Sequence, residues 1–120
     1  MIENPRFNRL RLLLGDEILS QVMKMRVIVF GVGGVGSWCA ESLVRSGICN
    51  ITLVDADKVC VTNINRQLLA TTSTIDGVKV EVMKHRLLDI NPDAQITALE
   101  KRYDESTASQ FDLNDYDYVI

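Results

Sequence analysis

Two kinds of side chain in this sequence are spaced for phosphate chemistry. Gly31-Val32-Gly33-Gly34-Val35-Gly36 follows a short apolar run and precedes a helical pattern. In that setting Gly31 permits a tight turn, Gly33 and Gly34 let backbone approach a phosphate, and Gly36 lets helix and strand pack closely. The free N–H groups at a helix start, with a macrodipole charge of roughly +0.5, favour an anion without any basic side chain. Asp55 stands nineteen residues beyond Gly36, at the end of a second apolar run, where a carboxylate accepts hydrogen bonds from ribose hydroxyls. That placement suits NAD and ATP equally. Asp57 reads either as a solvated turn residue or as a second site carboxylate.

Cations separate the two cosubstrates. A nicotinamide enzyme needs little from the region after the second strand, whereas nucleotidyl transfer must neutralise a triphosphate. Thr62-Asn63-Ile64-Asn65-Arg66-Gln67 supplies one cation and Lys79 a second at the start of the next helical pattern. Both can flank the cradle and stabilise charge that develops on a leaving pyrophosphate. The expectation is therefore ATP rather than a dinucleotide.

These residues must be positioned by a parallel α/β unit. Arg26 to Phe30 is continuously apolar after its first residue, as expected of a strand covered on both faces. Val35, Cys39 and Leu43, with Ala40 and Val44, form an i, i+4, i+8 stripe that Gly47 stops. Ile51 to Val54 reads as the second strand, and Asp55 to Asp76 as one long polar connection. Val80, Met83, Leu87 and Ile90 mark a helix ended by Asn91-Pro92, and Gln95 to Leu99 a third strand. Ser106 to Phe111 reads as a short helix, and Tyr118-Val119-Ile120 as the opening of a buried fourth strand, so the sheet is expected to continue past the end of the chain. Ahead of the first strand, Asn4-Pro5 and the spacing of Leu10, Leu13, Leu14, Ile18 and Val22 predict a helix broken at Gly15. The division is a helical segment, 1–25, and a nucleotide-binding α/β domain, 26–120, left incomplete.

Composition sets outer bounds. With 47% hydrophobic and 24% charged residues the chain can bury one core, which excludes a disordered chain. Arg6, Arg9 and Arg11 interrupt the N-terminal leucines, which fits neither a membrane span nor a signal peptide and makes the cytoplasm the default compartment. Cys39, Cys49 and Cys60 lack the spacing of a zinc clamp or a disulfide framework and are expected to be free thiols, with Cys60 a small buried one. At a net charge of −3 a nucleic-acid partner would need a local basic patch. Arg6, Arg9, Arg11, Lys84 and Arg86 could contribute, although on amphipathic helices they read as the wet face.

Taken together, Val32 to Trp38, Asp55-Ala56-Asp57, Cys60 to Gln67, Lys79-Val80-Glu81 and Ile90-Asn91-Pro92 resemble the ubiquitin-activating-enzyme-like adenylating family, in particular the bacterial proteins of molybdopterin and thiamine biosynthesis. The Gly-Gly-Val-Gly-Ser-Trp loop and the Cys60 to Gln67 stretch are most similar to the branch that dehydrates threonylcarbamoyladenosine in tRNA. The resemblance implies a doubly wound, Rossmann-like, mainly parallel sheet with flanking helices, a homodimer, and ATP with Mg2+. Asp55 would hold the ribose, Arg66 and Lys79 the phosphates, and Asn63 would line the same pocket. Arg9, in Phe7-Asn8-Arg9, matches an arginine that reaches across the dimer. The implied reaction adenylates the threonyl carboxylate, and ring closure then expels AMP. Adenylation of a ubiquitin-like sulfur-carrier protein, with a sulfur-transfer partner, shares every nucleotide-site residue. An inactive binding or dimerisation module is the third reading. The family's magnesium-binding aspartate would fall just beyond Ile120, and the zinc-binding cysteine pairs of many relatives are missing.

Overall fold

A computed structural model describes residues 4–120 of the chain; of the segment 1–25, residues 1–3 lie outside the described residues. Asn4 caps a first turn by accepting the Arg6 N–H at 3.1 Å, with Pro5 in the first helical position. Helices α1 (Asn8–Leu14) and α2 (Asp16–Lys24) follow, divided at Gly15, whose φ of 84° belongs to the left-handed region. The predicted broken helix is present.

Four strands then form one all-parallel sheet in the order β3-β2-β1-β4, where β1 is Arg26–Phe30, β2 Asn50–Val54, β3 Gln95–Leu99 and β4 Tyr118–Val119. The chain winds outward from β1 to β3 and returns to β4 on the other side of β1, the doubly wound, Rossmann-like topology expected from the sequence. Between the strands lie α3 (Gly36–Arg45) and α4 (Lys79–Ile90). Val27 pairs with Ile51 and Val29 with Leu53 in register, so one sheet face is apolar throughout. It packs with Ala40 and Val44 of α3 and Val80, Met83 and Leu87 of α4 in one buried cluster. On the opposite face Phe30 meets Tyr103 and Phe111, and the Tyr116 hydroxyl reaches Thr52 at 3.1 Å. Arg86 of α4 is bonded to Glu41 of α3, which also pairs with Arg45 at 3.4 Å, so Arg86 is more than a wetted residue.

Several expectations are corrected. The buried face of α3 runs through Ser37, Ala40 and Val44, while Val35 is 81% exposed because it precedes the helix and turns outward with the glycine loop. The connection from Asp55 to Asp76 is less polar in fact than in composition: Val59, Leu69 and Ala70 are buried core residues, and its turns are short 3-10 segments at Val61–Asn63 and Thr72–Thr74. Only a 3-10 turn, Ala108–Gln110, forms within Ser106 to Phe111. Tyr118, Val119 and Ile120 pair with β1 yet are about half exposed rather than buried. No described helix is long and apolar enough to cross a membrane.

Candidate nucleotide site

The glycine loop leaves β1 by a turn at Gly31, φ 88°, whose N–H donates to the Val54 carbonyl at 2.7 Å. Close packing decides the residue at position 36: a Cβ there would stand 1.7 Å from the Gly31 carbonyl oxygen, so any side chain would displace backbone. Gly33 and Gly34 face the other way, toward the stretch that carries Gln67 and Arg66. The loop is therefore a cradle with little side-chain bulk at its base, opening ahead of the ten-residue helix α3.

Asp55 ties this cradle to the rest of the sheet edge. One carboxylate oxygen accepts the Val32 N–H at 2.9 Å and the other accepts the Asp57 N–H at 2.8 Å. The Asp57 carbonyl in turn accepts the N–H of Lys79 at 3.0 Å. A continuous run of hydrogen bonds thus links the glycine loop, the acidic end of β2 and the first residue of α4. Lys79 is only 6% exposed, and among the described residues no ion pair to it is found. A lysine whose stem is so largely covered and whose ammonium has no carboxylate partner is placed to meet an anionic ligand.

The second cation is fixed from α3. The Ser37 hydroxyl donates to the Gly33 carbonyl and accepts the Leu68 N–H at 3.2 Å, and the Trp38 indole N–H donates to the Arg66 carbonyl at 3.0 Å. The stem of Arg66 consequently lies over Gly34, with its Cγ 3.7 Å from where a Cβ would stand. One guanidinium nitrogen, Nη1, is used on the Thr62 carbonyl and the Asn65 side chain, both at 3.0 Å. Asn63 is buried, and its side-chain oxygen caps the turn by accepting the Cys60 N–H at 2.9 Å. Cys60, expected to be buried, is exposed because it begins that turn. The hydroxyl of Thr62 donates to its sulfur at 3.2 Å and lowers the thiol below its ordinary value, with backbone N–H groups adding to the effect. Burial pushes the thiol of Cys49 up. All three cysteines are free, as expected.

Beside the Asp55 carboxylate lies a cavity of about 280 Å³ lined by Phe30, Gly31, Val54, Asp57, Lys101, Arg102 and Tyr103. Sequence reasoning missed the last three. They carry no motif, but they follow the C-terminal end of β3, next to the strand that bears Asp55, and that edge is where ligands of open α/β sheets bind. Tyr103 stacks on Phe30 with ring centroids 4.3 Å apart, which gives the cavity an aromatic wall. A larger groove of about 650 Å³, between Leu69, Val78 and Val82, holds none of the predicted site residues.

Gly31, Gly33, Gly34, Gly36, Asp55, Asp57, Asn63, Arg66 and Lys79 are thus gathered at or beside one sheet edge. Arg9 is not among them. It is exposed on α1, and its neighbour Leu10 packs near Gly47, past the far end of α3. Ten helical residues, roughly 15 Å, separate that end from the cradle. The cradle, the acceptor at Asp55 and the two cations fit a nucleotide phosphate chain. No three His, Cys, Asp or Glu side chains gather among the described residues into a site that would hold a metal by protein donors alone.

Known proteins resemble this chain in sequence and fold. A tRNA threonylcarbamoyladenosine dehydratase of Bacillus subtilis is 49% identical over 114 residues, covering 95% of this chain and 45% of the relative. The sulfur carrier protein ThiS adenylyltransferase of Escherichia coli is 39% identical over 100 residues, covering 81% and 39%. The crystal structure of E. coli tRNA N6-threonylcarbamoyladenosine dehydratase in complex with ATP superimposes with a TM-score of 0.92 at 37% identity, covering 99% of this chain and 51% of that one. The chain spans about half the length of the relatives it matches. The ThiF family pattern matches residues 7–120, and with the parallel sheet, the glycine cradle and these relatives in agreement, the chain belongs to the ThiF family.

Proposed function

We propose that this site binds ATP and serves adenylation of a carboxylate, and that the carboxylate is the threonyl group of threonylcarbamoyladenosine in tRNA. The observation that carries the reading is the hydrogen-bonded run from Val32 through Asp55 and Asp57 to Lys79, which joins the anion cradle, a ribose acceptor and the first residue of α4, a lysine. ATP supplies an adenylyl group, which turns an unreactive carboxylate into a mixed anhydride while pyrophosphate departs. Asp55 orients the ribose beside the Phe30–Tyr103 wall. Lys79, Arg66 and the N-terminus of α3 hold the phosphates and take up the charge that grows on the leaving group. Asn63 keeps the Arg66 loop in its turn. Arg9 serves the site of a second copy in a homodimer, since it stands at the far end from its own cradle.

Identity of 49% to the B. subtilis tRNA dehydratase against 39% to the E. coli sulfur-carrier adenylyltransferase favours tRNA as substrate. Titration calorimetry should give tighter binding of ATP than of NAD, and the reverse order would refute the nucleotide assignment. With ATP, Mg2+ and modified tRNA, the full-length enzyme should yield a nucleoside lighter by one water in the digested tRNA. Unchanged tRNA alongside an adenylated sulfur-carrier C-terminus would transfer the assignment to the carrier-protein reaction.

A further inference from the structure

Two apolar surfaces of the chain face solvent, one convex and one concave. On α1, Leu12 and Leu13 are 82% and 80% exposed. Beside α4 runs the groove of about 650 Å³ between Leu69, Val78 and Val82. On its other wall Thr71 and Thr74 spend their hydroxyls on each other and on the Leu69 carbonyl, so that wall offers a partner little polar attraction. Glu81, His85 and Asp89 line the groove as one i, i+4, i+8 stripe of α4. Neither carboxylate has an ion-pair partner among the described residues, and the arginine of this rim, Arg86, is taken by Glu41.

An apolar groove with an acidic rim repels RNA phosphate and favours a basic helix with an apolar face. Helix α1 has that character: it carries Arg9 and Arg11, four leucines and no acidic residue. We propose that α1 of a second copy docks in this groove through Leu12 and Leu13, and that the contact is returned, which closes the pair with two-fold symmetry. The inference rests on the reading of Arg9 as acting in a second copy, and names the surface that brings it there. The spacing along the two helices agrees. Laid parallel to α4 with Leu13 against Val82, α1 sets Arg9 about 6 Å back along its axis, and Lys79 stands about 4.5 Å back from Val82. Arg9 of one copy and Lys79 of the other therefore come level at the same end of the groove, beside the same phosphates.

Sedimentation equilibrium of the wild-type protein, Leu13→Lys and Val82→Glu tests the contact, with circular dichroism as the folding check. Each variant alone buries an unpaired charge in the groove and should dimerise at least about tenfold more weakly than wild type. Mixing the two should restore association, because the mixed pair sets the new lysine against the new glutamate and leaves the other groove unaltered. If Val82→Glu fails to fold, the exposed substitution Glu81→Arg takes its place and is mixed with Leu13→Glu. Folded variants that dimerise as tightly as wild type would overturn the groove and leave a homodimer formed through another face, as would a mixture no tighter than its components. A wild-type protein that stays monomeric at high concentration would instead overturn the homodimer reading, and the groove with it, without touching the ATP assignment.

Discussion

Asp55 accepts the backbone N–H of Val32 at 2.9 Å across the gap between β2 and the glycine loop. Val32 is fully buried, so its N–H has no water to turn to if that acceptor is lost. Asp55→Ala should therefore reduce folding stability by roughly 2–3 kcal/mol, as expected for removing a charge-assisted acceptor. Asp55→Asn, which retains one acceptor oxygen, should lose less. Urea denaturation of the two variants gives the order, and wild-type stability in both would refute the structural role of the carboxylate.

Two glycine positions of the loop should respond in opposite ways. At position 36 an alanine Cβ meets the Gly31 carbonyl oxygen, so Gly36→Ala should cost about 3 kcal/mol or more or prevent folding. At position 34 the nearest atom is the Cγ of Arg66 at 3.7 Å, an ordinary contact. Gly34→Ala should fold normally and alter only the lie of Arg66. Thermal melting separates them, and a stable Gly36→Ala protein would contradict the close approach.

Acid should weaken the join between α3 and α4. Burial pushes the Glu41 carboxyl up, but the hydrogen bond and charge of Arg86, together with Arg45, outweigh it and leave the carboxyl below its ordinary value near 4.5. A carboxylate depressed in the folded state contributes stability above its unfolded pKa, and loses it as pH falls through the lower folded value. Wild-type stability should thus decline below about pH 4.5, and Glu41→Gln should flatten that part of the curve. A profile unchanged by the substitution would show that the pair contributes nothing.

The three thiols should be alkylated at different rates. Cys60 is exposed and its thiol is lowered by the Thr62 hydroxyl, whereas burial raises Cys49. Mass spectrometry after brief iodoacetamide treatment at neutral pH should find the label first on Cys60. Thr62→Val should slow that labelling by removing the donor. Preferential labelling of Cys49 would contradict both environments.

Complementation tests the placement of Arg9. If it serves a second copy, Arg9→Ala and Lys79→Ala proteins, each impaired alone, should regain part of the ATP-dependent activity when mixed, because a mixed dimer holds one site with both residues intact. No recovery in confirmed mixed dimers would rule out action in trans.

Much of this arrangement was legible before the structure, and for a local reason. Arg26 to Phe30 and Ile51 to Val54 could be read because strands buried in a parallel sheet are short apolar runs. The glycine loop could be read because its spacing reflects one backbone crossing, seen at Gly31 and Gly36. Arg66 could be singled out as a cation following the glycine loop, and its stem lies beside Gly34. What escaped depends on distant contacts. Lys101, Arg102 and Tyr103 reach the cavity only because β3 lies beside β2. The seating of Leu68 on Ser37 is likewise a contact between residues thirty-one positions apart. Val35 and Cys60 were misread because periodicity and composition say nothing about which residue begins a turn.

The Arg66 loop is fastened to α3 through main-chain atoms of its own: the Arg66 carbonyl receives the Trp38 indole, and the Leu68 N–H reaches Ser37. A loop gripped by its backbone keeps its position whatever side chains it displays. For engineering this makes positions 64–67 an exchangeable cassette, in which charge and donor pattern over the cradle can be rewritten, whereas Ser37 and Trp38 are the fixed socket into which any such cassette must fit.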